Sequence, residues 1–124
     1  GWFDAVALRE AVRTNGLTGL AITKLDVLNE LDTIKICTAY SYHGDMVETF
    51  PQDPDILAEC KPVYEEMEGW NSDLSGVRAY DELPEKARLY LKKLEEVTGC
   101  PIALVSVGPR RDQTMQVKNP FAAN

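Results

Sequence analysis

Two continuous apolar segments limit most strongly what this chain can fold into. One is Leu20-Ala21-Ile22-Thr23, and the other is Cys100-Pro101-Ile102-Ala103-Leu104-Val105. Neither alternates with polar residues, which is typical of a strand buried on both faces of its sheet. Such a strand needs helices or a second sheet on each side. The two segments therefore predict an α/β fold.

Helices that could cover these strands are predicted near both ends of the chain. Asp4 is a suitable N-cap for a helix with apolar residues at three- and four-residue steps, and Asn15-Gly16 is a suitable end. A second helix is predicted from Pro84 to Gly99, because proline suits the first turn and glycine the position after the last. Its apolar stripe consists of Ala87, Tyr90, Leu91, Leu94 and Val97.

The middle of the chain has the pattern of a β-hairpin. Apolar residues alternate with others from Ile34 to Ser41, stop at His43-Gly44-Asp45 and resume over residues 47–50. Further along, the sequence predicts helical turns over residues 55–60, a short strand over 63–67 and a loop over 69–76. The complete prediction is a mixed sheet with a hairpin and covering helices.

Composition excludes several classes of partner. The 124 residues fit one domain, and 44% hydrophobic with 27% charged residues is ordinary for a globular protein. A net charge of -7 argues against a surface for nucleic acid or anionic membrane. No apolar run of about eighteen residues and no signal sequence are seen, so we expect a cytoplasmic protein. Three widely spaced cysteines, Cys37, Cys60 and Cys100, are expected to be reduced.

The residues after the first apolar segment have side chains that could recognise a guanine base. In Thr23-Lys24-Leu25-Asp26, the Asp26 carboxylate offers two acceptors for the adjacent ring N1–H and amino donors of guanine. On an extended chain Lys24 lies on the same side, where its stem can cover the base, while Leu25 points into the core. The structural alternative is an exposed lysine and an aspartate that caps a short helix over residues 27–31.

The second apolar segment ends in Ser106-Val107-Gly108-Pro109. Ligands of open α/β sheets bind just outside the carboxyl ends of strands, and glycine there permits close approach of backbone amides to a ligand. Two strand ends are thus predicted to hold one base between them. A plain turn after a strand is the alternative.

Other polar or aromatic residues are interpreted as structural. We expect His43 to be solvated in the hairpin turn, and neighbouring acids on a strand to point apart. We expect Arg110-Arg111 to form a solvated turn and both tryptophans to pack rather than to stack on a ligand. The remaining residues considered in this way are Glu65-Glu66, Asp81-Glu82, Trp2 and Trp70.

Several short motifs together resemble the C-terminal region of the adenylosuccinate synthetase family, most closely its bacterial type. The motifs fall in the family's order and spacing across nearly the whole chain. They are Gly1-Trp2-Phe3-Asp4, Asn15-Gly16, Thr23-Lys24-Leu25-Asp26-Val27-Leu28, Pro62-Val63-Tyr64-Glu65, Gly69-Trp70, Leu83-Pro84, Ser106-Val107-Gly108-Pro109 and Pro120-Phe121.

The resemblance implies a function and a site. The family joins IMP and L-aspartate at the expense of GTP through a 6-phosphoryl-IMP intermediate, with Mg²⁺, usually as a homodimer. It implies that Lys24, Leu25, Asp26, Ser106, Val107 and Gly108 line the guanine pocket. Position 107 is often threonine in the family, so the resemblance favours a backbone contact there.

The resemblance also implies that the family's phosphate loop, catalytic residues and Mg²⁺ ligands lie outside these 124 residues. The chain has no GxxxxGK[ST] and no GxGxxG motif, the usual backbone cradles for phosphate. We therefore expect residues 1–124 to be the guanine-recognition region of a larger α/β enzyme, without catalytic residues and inactive alone. The alternatives are a self-contained, non-catalytic guanine-nucleotide-binding module and an α/β domain whose strand ends are only turns.

Overall fold

The computed structural model describes residues 2–117, which form seven strands and three α-helices. Gly1 and Pro120-Phe121, two parts of the family resemblance, lie outside the described residues. The strands are β1 (Phe3–Asp4), β2 (Leu20–Ile22), β3 (Thr33–Tyr42), β4 (Asp45–Val47), β5 (Lys61–Glu68), β6 (Ile102–Ser106) and β7 (Thr114–Gln116). The helices are α1 (Ala5–Asn15), α2 (Pro54–Glu59) and α3 (Glu85–Thr98).

The predicted α/β fold class is confirmed, with two mixed sheets in the described residues instead of one. In the first sheet, β3 pairs with β1 in parallel and with β4 and β5 in antiparallel orientation. In the second sheet, β6 pairs with β2 in parallel and with β7 in antiparallel orientation. The short β1 and β7 were not predicted, since two or three residues are too few to show a period.

The helix ends follow the predicted chemistry. The Asp4 carboxylate accepts the Ala7 N–H at 3.0 Å at the start of α1. Gly16 and Gly99, which follow α1 and α3, are in the left-handed region at φ 63° and 70°. Asp53 caps α2, and the hairpin turns through His43 and Gly44 with φ values of 50° and 87°. Positive φ at both turn positions suits the right-handed twist of the two strands.

The prediction that both apolar strands are buried on both faces is wrong for the described chain. In β2, Leu20 and Ile22 are buried and Ala21 is exposed. In β6, Ala103 and Leu104 are exposed while Ile102 and Val105 are buried. An irregularity in the β2–β6 register explains the two consecutive exposed residues, because Ala103 is skipped between the pairs Leu20–Ile102 and Ala21–Leu104. One face of this sheet packs on the core.

The main core joins both sheets to α3. The stripe predicted on α3 packs there, with Ala87, Tyr90, Leu91 and Leu94 all at or below 4% exposure. Other members of this core come from the two sheets and the loops, namely Ile34, Ile36, Ile102, Val105, Trp70 and Leu74. A smaller cluster of Val6, Cys37 and Tyr40 lies under the hairpin. The core thus holds β2 and β6 side by side and fixes where they end.

The three cysteines are free, as predicted. Trp70 is 6% exposed and packs in the main core, also as predicted. No helix within residues 2–117 has the length and apolarity needed to cross a bilayer.

Candidate guanine-recognition site

The site begins from the parallel pairing of β2 with β6. The register pairs Ile22 with Val105, so the segments that follow the two strands start at the same edge of the sheet. Residues 23–26 and 106–108 therefore lie next to each other, as the sequence predicted for its two strand ends. The 3-10 helix Leu25–Leu28, which carries Asp26, lies against β6.

The chain turns sharply at Lys24. This residue has φ 58° and ψ 36°, in the left-handed region, and Leu25–Leu28 follows immediately as a 3-10 helix. The expectation that Lys24 and Asp26 share one side of an extended chain is therefore wrong, because β2 already ends at Ile22. The structural alternative, in which Asp26 caps a helix over residues 27–31, is also wrong, since Asp26 lies in the first turn of a helix that begins at Leu25.

Of the predictions for the first segment, burial confirms that Leu25 points into the core. Leu25 is 1% exposed and belongs to the main core, Lys24 is exposed and Asp26 is half-buried. Within residues 2–117, neither the Asp26 carboxylate nor the Lys24 ammonium takes part in a hydrogen bond or ion pair. Both charged groups are thus available to a ligand.

Asp26 and Lys24 open onto different cavities. A polar cleft of 590 Å³ is lined by Asp26, Val27, Asn29, Glu30, Asn71, Ser72 and Asp73. A smaller, more apolar hollow of 150 Å³ is lined by Lys24 with Trp2, Phe3, Thr23, Leu28 and Tyr90, among others. Val27 lines both, so the 3-10 helix forms the ridge between them. The Asp26 carboxylate faces a space large enough for a purine base.

The far wall of the cleft comes from the loop over residues 69–76, whose role the sequence did not indicate. Asn71 has φ 48°, a left-handed conformation that asparagine tolerates better than most residues. Trp70 Nε1 donates to Asn29 Oδ1 at 3.2 Å, and Asn29 Nδ2 donates to Asp73 Oδ1 at 3.4 Å. In the sequence, the polar residues 71–73 predicted that this segment is a loop, but they gave no sign that the loop faces Asp26 across a cleft.

The second segment forms a tight turn. The Ser106 hydroxyl donates to the Gly108 carbonyl at 2.7 Å, and the Val107 N–H donates to the Gln113 carbonyl at 2.9 Å. Val107 is fully buried and Gly108 is also buried. A ligand that used the Val107 amide would have to displace an existing hydrogen bond. The predicted backbone contact at this position stays a prediction.

Several residues that the sequence interpreted as structural are placed accordingly. His43 lies exposed in the hairpin turn, stacked on Tyr42 and 3.4 Å from a Glu59 carboxylate oxygen. Arg110 and Arg111 are exposed, and Arg110 pairs with Asp112 at 2.9 Å. Within residues 2–117 no cluster of three or more His, Cys, Asp or Glu side chains is arranged to hold a metal ion.

Comparison with known proteins assigns the chain to a family. Residues 1–115 match the family described as adenylosuccinate synthetase. Adenylosuccinate synthetase from Syntrophotalea carbinolica is 68% identical over 121 residues, which are 98% of this chain and 28% of the relative. The Geotalea daltonii enzyme of the same name is 62% identical over 123 residues, again 28% of its length.

A solved structure supports the same family assignment. Fully ligated adenylosuccinate synthetase from Plasmodium falciparum superposes with a TM-score of 0.89 at 34% identity, over 95% of this chain and 29% of that chain. This mixed α/β unit is thus built like part of an enzyme. The chain belongs to the adenylosuccinate synthetase family, as the resemblance implied, and it spans somewhat over a quarter of the length of these relatives.

Proposed function

We propose that this chain supplies the guanine-recognition region of an adenylosuccinate synthetase. The full-length enzyme is a GTP-dependent carbon–nitrogen ligase that joins IMP and L-aspartate to adenylosuccinate in AMP biosynthesis. The observation that carries the proposal is the Asp26 carboxylate, which is free of partners within residues 2–117 and faces the 590 Å³ cleft beside the paired ends of β2 and β6.

The proposed roles follow from donor and acceptor chemistry. Asp26 accepts the N1–H and the amino group of guanine with its two oxygens, and adenine is rejected because its N1 is an acceptor. Leu25, buried at 1% exposure, anchors the turn that presents Asp26. Lys24 emerges on the other side of the same turn and lines the smaller hollow, so its long stem must reach past the 3-10 helix to cover the face of the base. Ser106, Val107 and Gly108 are proposed to contact the base from the end of β6, which pairs with β2 beside Asp26.

The chemical steps are proposed to belong to residues outside this segment. Its 124 residues contain no phosphate-binding glycine motif, so we propose that the phosphates and Mg²⁺ are held elsewhere in the enzyme. The full-length enzyme is proposed to work as a cytoplasmic homodimer on small-molecule substrates, with no part for nucleic acid or membrane. Membership of an enzyme family favours this proposal over a self-contained, non-catalytic guanine-nucleotide-binding module.

Asp26→Asn in a full-length synthetase that carries this segment tests the proposal. An asparagine amide still accepts N1–H but presents a donor where guanine has its amino donor, whereas xanthine has a carbonyl there. We expect kcat/KM for GTP to fall about 10- to 100-fold, in line with the loss of a charge-assisted pair, and kcat/KM for XTP to rise.

Asp81→Asn is the matched control, because Asp81 is exposed in the 3-10 helix Tyr80–Glu82, away from the cleft. It should leave both kcat/KM values unchanged. Unaltered GTP and XTP kinetics in Asp26→Asn would show that Asp26 does not read the base.

A further inference from the structure

We propose that Gln113 is a positioning residue for the guanine site, and that its side-chain amide holds the loop over residues 106–110 in the shape that faces the base. The inference rests on the function proposed above. Gln113 belongs to a 3-10 helix, Arg111–Gln113, at the end of this loop. Nothing in its sequence context suggests a role at the site.

The Gln113 side chain is buried and both of its polar ends are used. It is 8% exposed, one of two buried polar residues within residues 2–117. Its Oε1 accepts the Arg110 N–H at 2.9 Å, and its Nε2 donates to the Ser75 carbonyl at 3.3 Å. Because one end meets a donor and the other an acceptor, only one orientation of the amide satisfies both.

The main chain of Gln113 closes the same loop. Its carbonyl accepts the Val107 N–H at 2.9 Å, and its N–H donates to the Arg110 carbonyl at 3.0 Å. Both halves of the loop are therefore attached to one residue. The main-chain bonds do not depend on the side chain, so a substitution at Gln113 tests the amide alone.

Gly108 lies directly on the Gln113 amide. A Cβ added at Gly108 would overlap the Oε1, Cδ and Nε2 atoms of Gln113. The amide therefore fills the space beside the loop at Gly108. The φ of Gly108 is not in the left-handed region, so a side chain at position 108 would disturb the contact with the Gln113 amide and not the backbone conformation.

The bond to Ser75 couples the two sides of the site. Ser75 belongs to the loop that supplies Asn71, Ser72 and Asp73 to the cleft facing Asp26. The Ser75 N–H also donates to the Asp73 carboxylate at 2.9 Å. Gln113 thus fixes the loop after β6 relative to the far wall of the cleft.

Gln113→Leu, in a full-length synthetase that carries this segment, removes both side-chain hydrogen bonds at similar volume. We expect KM for GTP to rise about tenfold while kcat and the KM values for IMP and aspartate stay within about twofold, because only base binding is weakened. Gln113→Glu keeps the acceptor for Arg110 and should hold KM for GTP within about threefold of the original. Gln116→Leu, exposed on β7, is the control and should change nothing.

Each outcome decides the inference. An unchanged KM for GTP in Gln113→Leu overturns it, as does an equal loss for all three substrates, which would indicate a general structural role. If Gln113→Leu does not fold, Gln113→Met, which keeps the length of the side chain and loses both hydrogen bonds, must give the same GTP-selective rise. Asp26→Asn, measured in parallel, separates the two proposals. A switch of this variant from GTP to XTP would support the guanine site even if the Gln113 variants left KM for GTP unchanged.

Discussion

Tyr90 shows how the core couples stability to alkaline pH. It lies on α3 at 4% exposure, with its ring centroid 5.8 Å from that of Trp70. Burial raises the pKa of Tyr90 to about 12, since the ionised phenolate is poorly solvated there. Burial, together with the hydrogen bond to Asp4, also raises the pKa of Tyr40. Both shifts favour the neutral form in the folded state.

The sign of the pH effect follows from these raised values. The contribution of the raised pKa to the free energy of unfolding is fully present below the unfolded-state pKa of about 10. It is lost as the pH rises toward the pKa of the folded state. For Tyr90, the difference between about 10 and about 12 corresponds to roughly 3 kcal/mol. We expect the free energy of unfolding to decrease between about pH 10 and 12, and Tyr90→Phe to show a smaller decrease.

Urea unfolding at a series of pH values measures this effect, with Tyr64→Phe as the control because Tyr64 is 41% exposed on β5. If Tyr90→Phe loses stability with pH as steeply as the original chain, the Tyr90 phenol does not contribute.

Individual side chains were predictable where the cause is local. Asp4 as a helix cap, Gly16 and Gly99 as helix ends and Leu25 as a core residue all depend on near neighbours, and all are confirmed. The direction of Lys24 was not predictable, because it depends on a left-handed backbone that few non-glycine residues adopt. The contacts of Gln113 depend on residues up to 38 positions away, which no local pattern encodes.

Among the secondary-structure elements, the two long helices and the hairpin turn were predictable, but the strand after the turn is Asp45–Val47 and not the predicted residues 47–50. The long strand β3 was predicted to alternate throughout, but its register with β5 shifts between Cys37 and Ala39. Without the bulge Tyr40 would share the face of Ile34 and Ile36, which pack in the main core; beyond the bulge the alternation is offset, so Tyr40 packs with Cys37 in the smaller cluster. A bulge is set by strand pairing, so the sequence of one strand does not reveal it.

Gly69 determines how the loop over residues 69–76, which lines the cleft, follows β5. Its N–H donates to the Asp32 carbonyl at 2.8 Å, and a Cβ at this position would overlap the Leu31 carbonyl group. Backbone cannot move aside as a flexible side chain can. We expect Gly69→Ala to destabilise the chain by about 3 kcal/mol, near the upper end for overpacking, and to displace the loop that lines the cleft.

Gly76→Ala is the matched control, because a Cβ there meets nothing within 4 Å and the backbone is not in the left-handed region. Its free energy of unfolding in urea should change by less than about 0.5 kcal/mol. Similar free energies of unfolding for both variants would mean that the loop can move away from the Leu31 carbonyl group without loss of stability.

For the molecule as a whole, the sequence predicted the fold class, the family and the meeting of two strand ends. It could not predict the division into two sheets, since β3 and β6 each acquire partners from distant parts of the chain. The prediction of strands buried on both faces failed because apolar content does not specify which face is covered. Ala21, Ala103 and Leu104 all lie on the uncovered side within the described residues.

The proposed division of work within the enzyme gives a test on the 124-residue chain itself. Base recognition is proposed to reside here and phosphate binding elsewhere, so the chain should favour guanine but bind it weakly. We expect a Kd for GTP near the millimolar level, about 4 kcal/mol of binding free energy, with ATP weaker still. The expected selectivity comes from Asp26, whose carboxylate meets two donors on guanine and an acceptor on adenine.

An NMR titration with GTP and ATP measures the affinity for each nucleotide and identifies the residues at which it binds. Signals of residues 23–30, 71–75 and 106–108 should shift with GTP, because these segments surround the cleft and the paired strand ends. Asp26→Asn should remove the preference for GTP over ATP without altering signals of the hairpin at His43 and Gly44, which serves as an internal control. Micromolar binding, or ligase turnover by the chain alone, would contradict the division, because affinity of that size requires the phosphate contacts that this segment is proposed to lack.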